Sequence, residues 1–140
     1  MGKDPFSLQR FVDAQDPEYA NVCQELRNGR KQGHWMWFVF PQIKGLGSSG
    51  LSVQFAISSR GEAEAYLGHP VLGRRLRECT GLVLNIHDRS IDKIFGYPDN
   101  LKFRSSMTLF GNVGAKEKLF FDAIQMFYGG KFDRLTIERL

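Results

Sequence analysis

The chain is poor in the residues that most catalytic and metal-binding signatures require. Its 140 residues include two cysteines and three histidines. These are scattered, with no C-x-x-C and no H-x-x-x-H pair, whereas protein zinc sites draw on closely spaced Cys and His ligands. His87, Asp88 and Asp92 come nearest to a cluster, and their spacing reads as a helix end followed by acids at the start of the next turn. No Gly-Lys-Ser/Thr triplet exists, which excludes a P-loop, and no G-x-S-x-G elbow exists to present a nucleophilic serine. No metal and no cofactor is expected. The longest apolar run, Trp35 to Phe40, is far short of the ~20 residues that span a bilayer. The start, MGKDPFSLQRF, has an aspartate where the apolar part of a signal peptide would begin. Cys23 and Cys79 sit in apolar helical patterns, so they read as buried, reduced thiols and the chain as cytoplasmic.

Charge of either sign is also limited. Lys plus Arg is 19 and Asp plus Glu is 15, for a net +4. This mild excess favours an anionic over a cationic ligand and identifies neither. The densest basic cluster, Arg74, Arg75 and Arg77, has no interleaved aromatics. It reads as the solvated face of a helix, and nucleic acid is not an expected partner.

Apolar and aromatic residues are plentiful. Hydrophobic content is 42% and aromatic content 13%, enough for a packed core. No internal repeat and no Pro/Ser-rich linker divides residues 1–140, so one domain is expected. The pattern is a series of short helices with clear punctuation. Asp16-Pro17 reads as an N-cap with proline following, and Gly29 as the end of that helix. Ser59 opens a helix that stops before Gly68-His69-Pro70. Leu72, Leu76, Cys79, Val83 and Ile86 recur at intervals of four and three, one face of a longer helix. Gly81 inside it is expected to mark a close helix crossing. Ser90 caps a turn over Ile91 to Phe95 that Gly96 halts. Pro98-Asp99 starts a helix carrying Phe103, Met107 and Phe110. Lys116 to Tyr128 is apolar on more than half its circumference and is expected to be the central buried helix. Asp133 caps a last turn. The fold class is all-α, a single compact multihelical unit with buried central helices.

One segment dissents. HWMWFVFPQ, His34 to Gln42, contains a Trp-Phe-Val-Phe run that propensity alone assigns to a strand. The only other extended candidates are Leu82 to Ile86, inside a helical stripe, and Leu51 to Ile57. A lone strand leaves its backbone groups unpaired, so a short helix covered on every side is expected instead. The neighbouring Gly45-Leu46-Gly47-Ser48-Ser49-Gly50 has dinucleotide-binding spacing, but no βαβ unit surrounds it and it reads as a surface loop.

Two features remain as candidates for function. One is the aromatic stretch with its flanks, Lys31 and His34 before it and Gln42 after it. The other is Phe95 to Phe110, FGYPDNLKFRSSMTLF, where Lys102, Ser105, Ser106 and Leu109 share a helix face. Adjacent serines are poor helix-interior residues. They read either as small residues that let two helices approach or as a polar floor under a ligand. Trp35 and Trp37 read either as core or as a stacking wall for a flat ring.

The blocks HWMWFVFPQ, EAEAYLGHPVLGRRLREC and IFGYPDNLKFRSSMTLF resemble the bacterial family named as domain of unknown function eighteen-ten, from about Phe11 to near Tyr128. The resemblance implies a multihelical fold with central buried helices, and no established activity. Some members carry a calpastatin label, but that inhibitor consists of disordered repeats and this chain has the pattern of a packed domain. A shorter likeness joins HPVLGRRLRECTGLVLNIHDRSIDKIFG to the tail of the family that cleaves N-glycosidic bonds of ADP-ribose and riboflavin-pathway intermediates. There too an amphipathic helix leads to a Ser-x-Asp-x-x-aromatic-Gly turn, here Ser90, Asp92, Phe95 and Gly96. That family's catalytic glutamate block has no clear counterpart here.

Three readings follow. The first is a pocket for a nucleotide or other small anionic ring compound, with Trp35 or Trp37 stacking, Lys102 meeting the anion, and His34, Gln42, Ser105 and Ser106 orienting the ligand. The second is an N-glycosidase acting on ADP-ribosyl or ribosyl compounds, for which Asp99 and Glu62 are the candidate carboxylates. The third is a protein-interaction module that exposes Trp35 and Trp37 as an aromatic patch.

Overall fold

A computed structural model describes residues 3–140, and among these are ten helices and no strand. They are α1 (Gln9–Gln15), α2 (Tyr19–Arg27), α3 (Met36–Val39), α4 (Gly50–Gln54) and α5 (Arg60–Gly68), followed by α6 (Leu72–Leu84), α7 (Ile91–Phe95), α8 (Asp99–Gly111), α9 (Lys118–Tyr128) and α10 (Arg134–Glu138). None is long and apolar enough to cross a membrane.

Much of the punctuation acts as the sequence implies. Ser59 and Ser90 accept the backbone N–H of Glu62 and Lys93, capping α5 and α7. Gly29 adopts φ +76° after α2. Its N–H donates to Leu26 O and that of Arg30 to Glu25 O, which closes the helix as a Schellman motif. The stripe Leu72, Leu76, Cys79 and Val83 is buried along α6, and Ile86 is buried just beyond it.

Other expectations need correction. The short α1 carries no clear sequence signal; Asp4 fixes its approach by accepting the N–H groups of Leu8 and Gln9. Asp16 does not cap α2. It ends α1 and pairs with Arg75 at 2.9 Å. The central helix is α8 rather than α9. Phe103 and Ser105 through Gly111 are all buried, whereas α9 buries only Phe120, Ala123 and Ile124. Serines and threonines on α8 hide this from a hydrophobicity count, because their hydroxyls bond back to the helix: Ser105 Oγ to Leu101 O and Thr108 Oγ1 to Arg104 O.

The basic cluster is not one solvated face either. Arg74 is exposed, but Arg75 lies over the Tyr19 ring and pairs with Asp16. Arg77 clamps Glu117 with bonds of 2.7 and 2.8 Å and donates another to Leu67 O. Burial opposes the charges of this pair less than their bonds favour them, so Glu117 is held below and Arg77 above its ordinary pKa. This clamp ties α6 to the end of α5 and the start of α9.

The close approach in α6 lies at Gly73. A β-carbon there would meet Leu67 O at 2.1 Å, while one on Gly81 would meet nothing within 4 Å. Gly73→Ala should therefore cost about 2–3 kcal/mol, as overpacking does. Gly81→Ala should stabilise by up to about 1 kcal/mol through helix propensity. Urea unfolding of the two variants checks the contrast; equal effects would misplace the crossing.

Candidate functional site

The aromatic stretch is a buried wall whose last residue, Gln42, reaches the candidate cleft, and several elements hold it in place. Met36, Phe38 and Val39 of α3 are buried, as are Trp35 and Phe40 on either side. Phe40 meets Phe103 of α8 edge-on at 4.9 Å and Phe95 at 5.9 Å. From α1, the buried Gln15 donates to Phe38 O at 2.6 Å and to the Tyr66 hydroxyl at 3.1 Å. After Pro41 the chain runs beside Ile57: Ile57 N–H donates to Gln42 O and Lys44 N–H to Ile57 O, both at 2.8 Å. This is a single parallel bridge, Ile43 to Ile57, so the extended tail finds its partner inside the Leu51–Ile57 candidate.

Glu25 of α2 orders the approach to this wall. Its Oε1 accepts the N–H groups of Gln32 and Gly33 and the indole N–H of Trp35, at 2.7, 2.9 and 3.0 Å. Burial opposes its ionisation, but these donors and Lys31 outweigh it and hold its pKa below the ordinary 4.5. Lys31 donates to Gly33 O and pairs with Asp99 Oδ2 at 2.8 Å. Asp99, in the first turn of α8, turns its other oxygen to Lys102 at 3.4 Å. The Lys102 ammonium sits 5.0 Å from the centre of the Trp37 ring. Its one ion pair among the described residues is the 3.4 Å contact with Asp99.

In front of this ammonium lies a cleft of about 280 Å³ whose lining includes Gln42, Ser52, Lys102, Ser105 and Asp133, with Leu46, Pro98, Leu101 and Leu135 among its apolar parts. Asp133 Oδ2 accepts from Ser105 and Thr136, leaving Oδ1 without a protein donor among the described residues. The cleft lining therefore includes the Lys102 and Asp133 side chains among apolar residues.

The residues named from sequence divide on this geometry. Gln42, Lys102 and Ser105 line the cleft. Trp37 lies behind Lys102 and lines an adjoining crevice with Gln42, Gly47 and Ser52. Trp35 is only 1% exposed, and its ring packs on Phe40 and Phe95. It is core, offering neither a stacking wall nor an exposed aromatic patch. Ser106 is 0% exposed, because it shares the inward face of Phe103 and Phe110, three and four residues away. Its hydroxyl has no partner among the described residues. His34 is exposed and outside the cleft lining. Glu62 is 2% exposed, with Arg10 on one oxygen and both Ser58 donors on the other. Asp99 has a lysine at each oxygen. Asp133 and Ser52 complete the lining without a distinctive pattern of their own, Asp133 legible only as a helix cap; Lys31, a flank named from sequence, pairs with Asp99 and is not among the lining residues.

The Ser90–Gly96 turn has structural work at each of its marked positions. Ser90 caps α7, Asp92 accepts from Asn100 at 2.6 Å, Phe95 is buried and Gly96 takes φ +75°. The glycine-rich segment is an exposed loop ending in Ser49, which caps α4.

Fold and cleft together define an all-α protein with a small cleft of mixed polar and apolar lining at the start of its central helix. A family described as "Protein of unknown function (DUF1810)" matches residues 5–140, and the chain belongs to that family. Its structure is similar to the crystal structure of the conserved hypothetical protein Rv1873 from Mycobacterium tuberculosis. The TM-score is 0.96 at 57% sequence identity, with 98% of each chain covered. No curated protein matches it.

Removing Glu25 tests how the wall is held. Glu25→Ala should cost about 2 kcal/mol at neutral pH, since it strands three donors at once. With its folded pKa depressed, Glu25 contributes fully above about pH 4.5 and its contribution fades as pH falls below that value. The gap between wild type and variant in urea unfolding should therefore narrow in acid. A gap that widened in acid would show that the carboxylate is not the anchor.

Proposed function

We propose that the chain is a single-domain cytoplasmic protein that binds a small anionic ring compound in the cleft between the Trp37–Gln42 segment and the first turns of α8. The observation that carries this reading is the Lys102 ammonium. It is oriented by Asp99 and the Trp37 face and has donors to spare in the lining of a partly apolar cleft. A cation held in this way meets an anionic group with little reorganisation.

Size and charge narrow the ligand. Small-molecule pockets run from about 300 to 1,000 Å³, so a cleft of about 280 Å³ suits one ring with one acidic group better than a dinucleotide. The free Asp133 Oδ1 favours a ligand that also carries an N–H or O–H donor away from its anion. Gln42 supplies both a donor and an acceptor for orientation. The buried, reduced thiols support the cytoplasmic assignment. No separate observation favours glycosidic-bond cleavage, since the oxygens of Asp99 and Glu62 are already engaged by cations or donors.

Thermal shift and tryptophan fluorescence against a panel of monocyclic acids and mononucleotides test the reading. A binding compound should lose about tenfold or more in affinity to Lys102→Ala, the usual loss for a charge-assisted bond. Trp35→Phe should keep the fluorescence response and Trp37→Phe should lose it. Unchanged affinity in Lys102→Ala, or a panel without any binder, would reject the cleft as the site.

A further inference from the structure

Away from the cleft, α2 and α6 bring the two cysteines together. Cys23 and Cys79 are both free and buried, and both sulfurs lie against the same Tyr19–Glu78 pair. Tyr19 and Glu78 complete the cluster. The Tyr19 hydroxyl donates to Glu78 Oε1 at 2.6 Å, Cys23 Sγ lies 3.8 Å from that same oxygen, and Cys79 Sγ lies 3.9 Å from the Tyr19 hydroxyl. The two sulfurs come from helices that pack directly on one another, so joining them does not require a segment to move across the molecule.

We propose that Cys23 and Cys79 form a peroxide-reactive dithiol that closes reversibly to a disulfide between α2 and α6. The two cysteines have different parts. Cys79 is wholly buried, whereas Cys23 keeps 5% exposure beside the exposed Glu78, so a small oxidant reaches Cys23 first. The neighbouring Cys79 thiol, with Tyr19 and Arg27, lowers the pKa of Cys23 against opposition from its burial and from Glu78. The same contact and burial raise Cys79, which stays a thiol. A thiolate is the nucleophilic form of cysteine.

The chemistry balances with hydrogen peroxide as the oxidant. The Cys23 thiolate attacks one peroxide oxygen and the O–O bond breaks. The departing hydroxide takes up a proton as water, and Cys23 is left as sulfenic acid. The Cys79 sulfur then attacks the Cys23 sulfur. The S–OH bond breaks, the Cys79 proton leaves with that hydroxyl as a second water, and the S–S bond forms. Two thiols lose two electrons and one peroxide gains them. A dithiol such as dithiothreitol reverses the step by exchange.

The full chain, treated with equimolar hydrogen peroxide and then with iodoacetamide, tests this by intact mass and peptide mapping. The expected product has lost two hydrogens, takes up no alkylating agent and yields one linked peptide pair, Cys23 with Cys79. Its melting temperature should rise by about 5–10 °C, a typical gain for closing a long loop in a domain of this size, and dithiothreitol should reverse both changes. In Cys79→Ser, Cys23 should be trapped as sulfenic acid by dimedone. Two thiols that remain alkylatable after peroxide would overturn the proposal, as would linkage only between chains or a Cys23 oxidised to sulfinic acid while Cys79 stays free.

Discussion

The structure depends on the burial of α8. From Ser105 to Gly111 every residue of this helix is buried, and a buried polar group without a partner costs about 1–3 kcal/mol. The helix meets that constraint locally. Ser105 and Thr108 bond to carbonyls one turn back, and the Asp133 N–H donates to Thr108 Oγ1. Arg104 holds the carbonyls of Lys131 and Phe132, which brings the chain before α10 against α8. Only the Ser106 hydroxyl is left without a partner among these groups.

The same constraint positions the cleft. An interior helix must emerge somewhere, and α8 emerges at its first turns, where Asp99 and Lys102 stand. Their charges are ordered by a relay that begins in α2 with Glu25 and passes through Gly33 and Lys31 to Asp99. The aromatic stretch is pinned from behind by Phe103 and from the side by Gln15. Gln42 at the end of that stretch, Lys102 and Asp133 thus line one cleft, with the core as their support. The thiol cluster is held by a different pair of helices, α2 and α6, and its chemistry does not require the cleft to be occupied.

Much of the architecture was readable from the sequence because its signals are local. Serine caps, the glycine after α2 and the stripe along α6 all act within a few residues. Identification of α8 as the centre failed because its buried hydroxyls count as polar until their i−4 bonds are seen. Gly81 looked like the crossing point because it lies in the middle of the stripe; the crossing is at Gly73, where the Leu67 carbonyl approaches. At the candidate site, Gln42, Lys102 and Ser105 were legible from flanks and helix phase. Helix phase alone could not separate Ser105, which lines the cleft, from Ser106, which faces Phe103 and Phe110. Composition could not separate Trp35 from Trp37 either. That distinction is set by Glu25, ten residues before Trp35, through a bond that no periodicity reveals.

The central claim is that the cleft beside Lys102 receives a small ring acid. Nitrogen-15 NMR during titration of monocyclic acids measures this most directly, because the two indole N–H groups report different places. The account predicts that the Trp37 indole and the amides of Lys102, Ser105 and Asp133 shift in a saturable way, while the buried Trp35 indole stays in place. Saturable shifts confined to another part of the surface, with these resonances still, would contradict it.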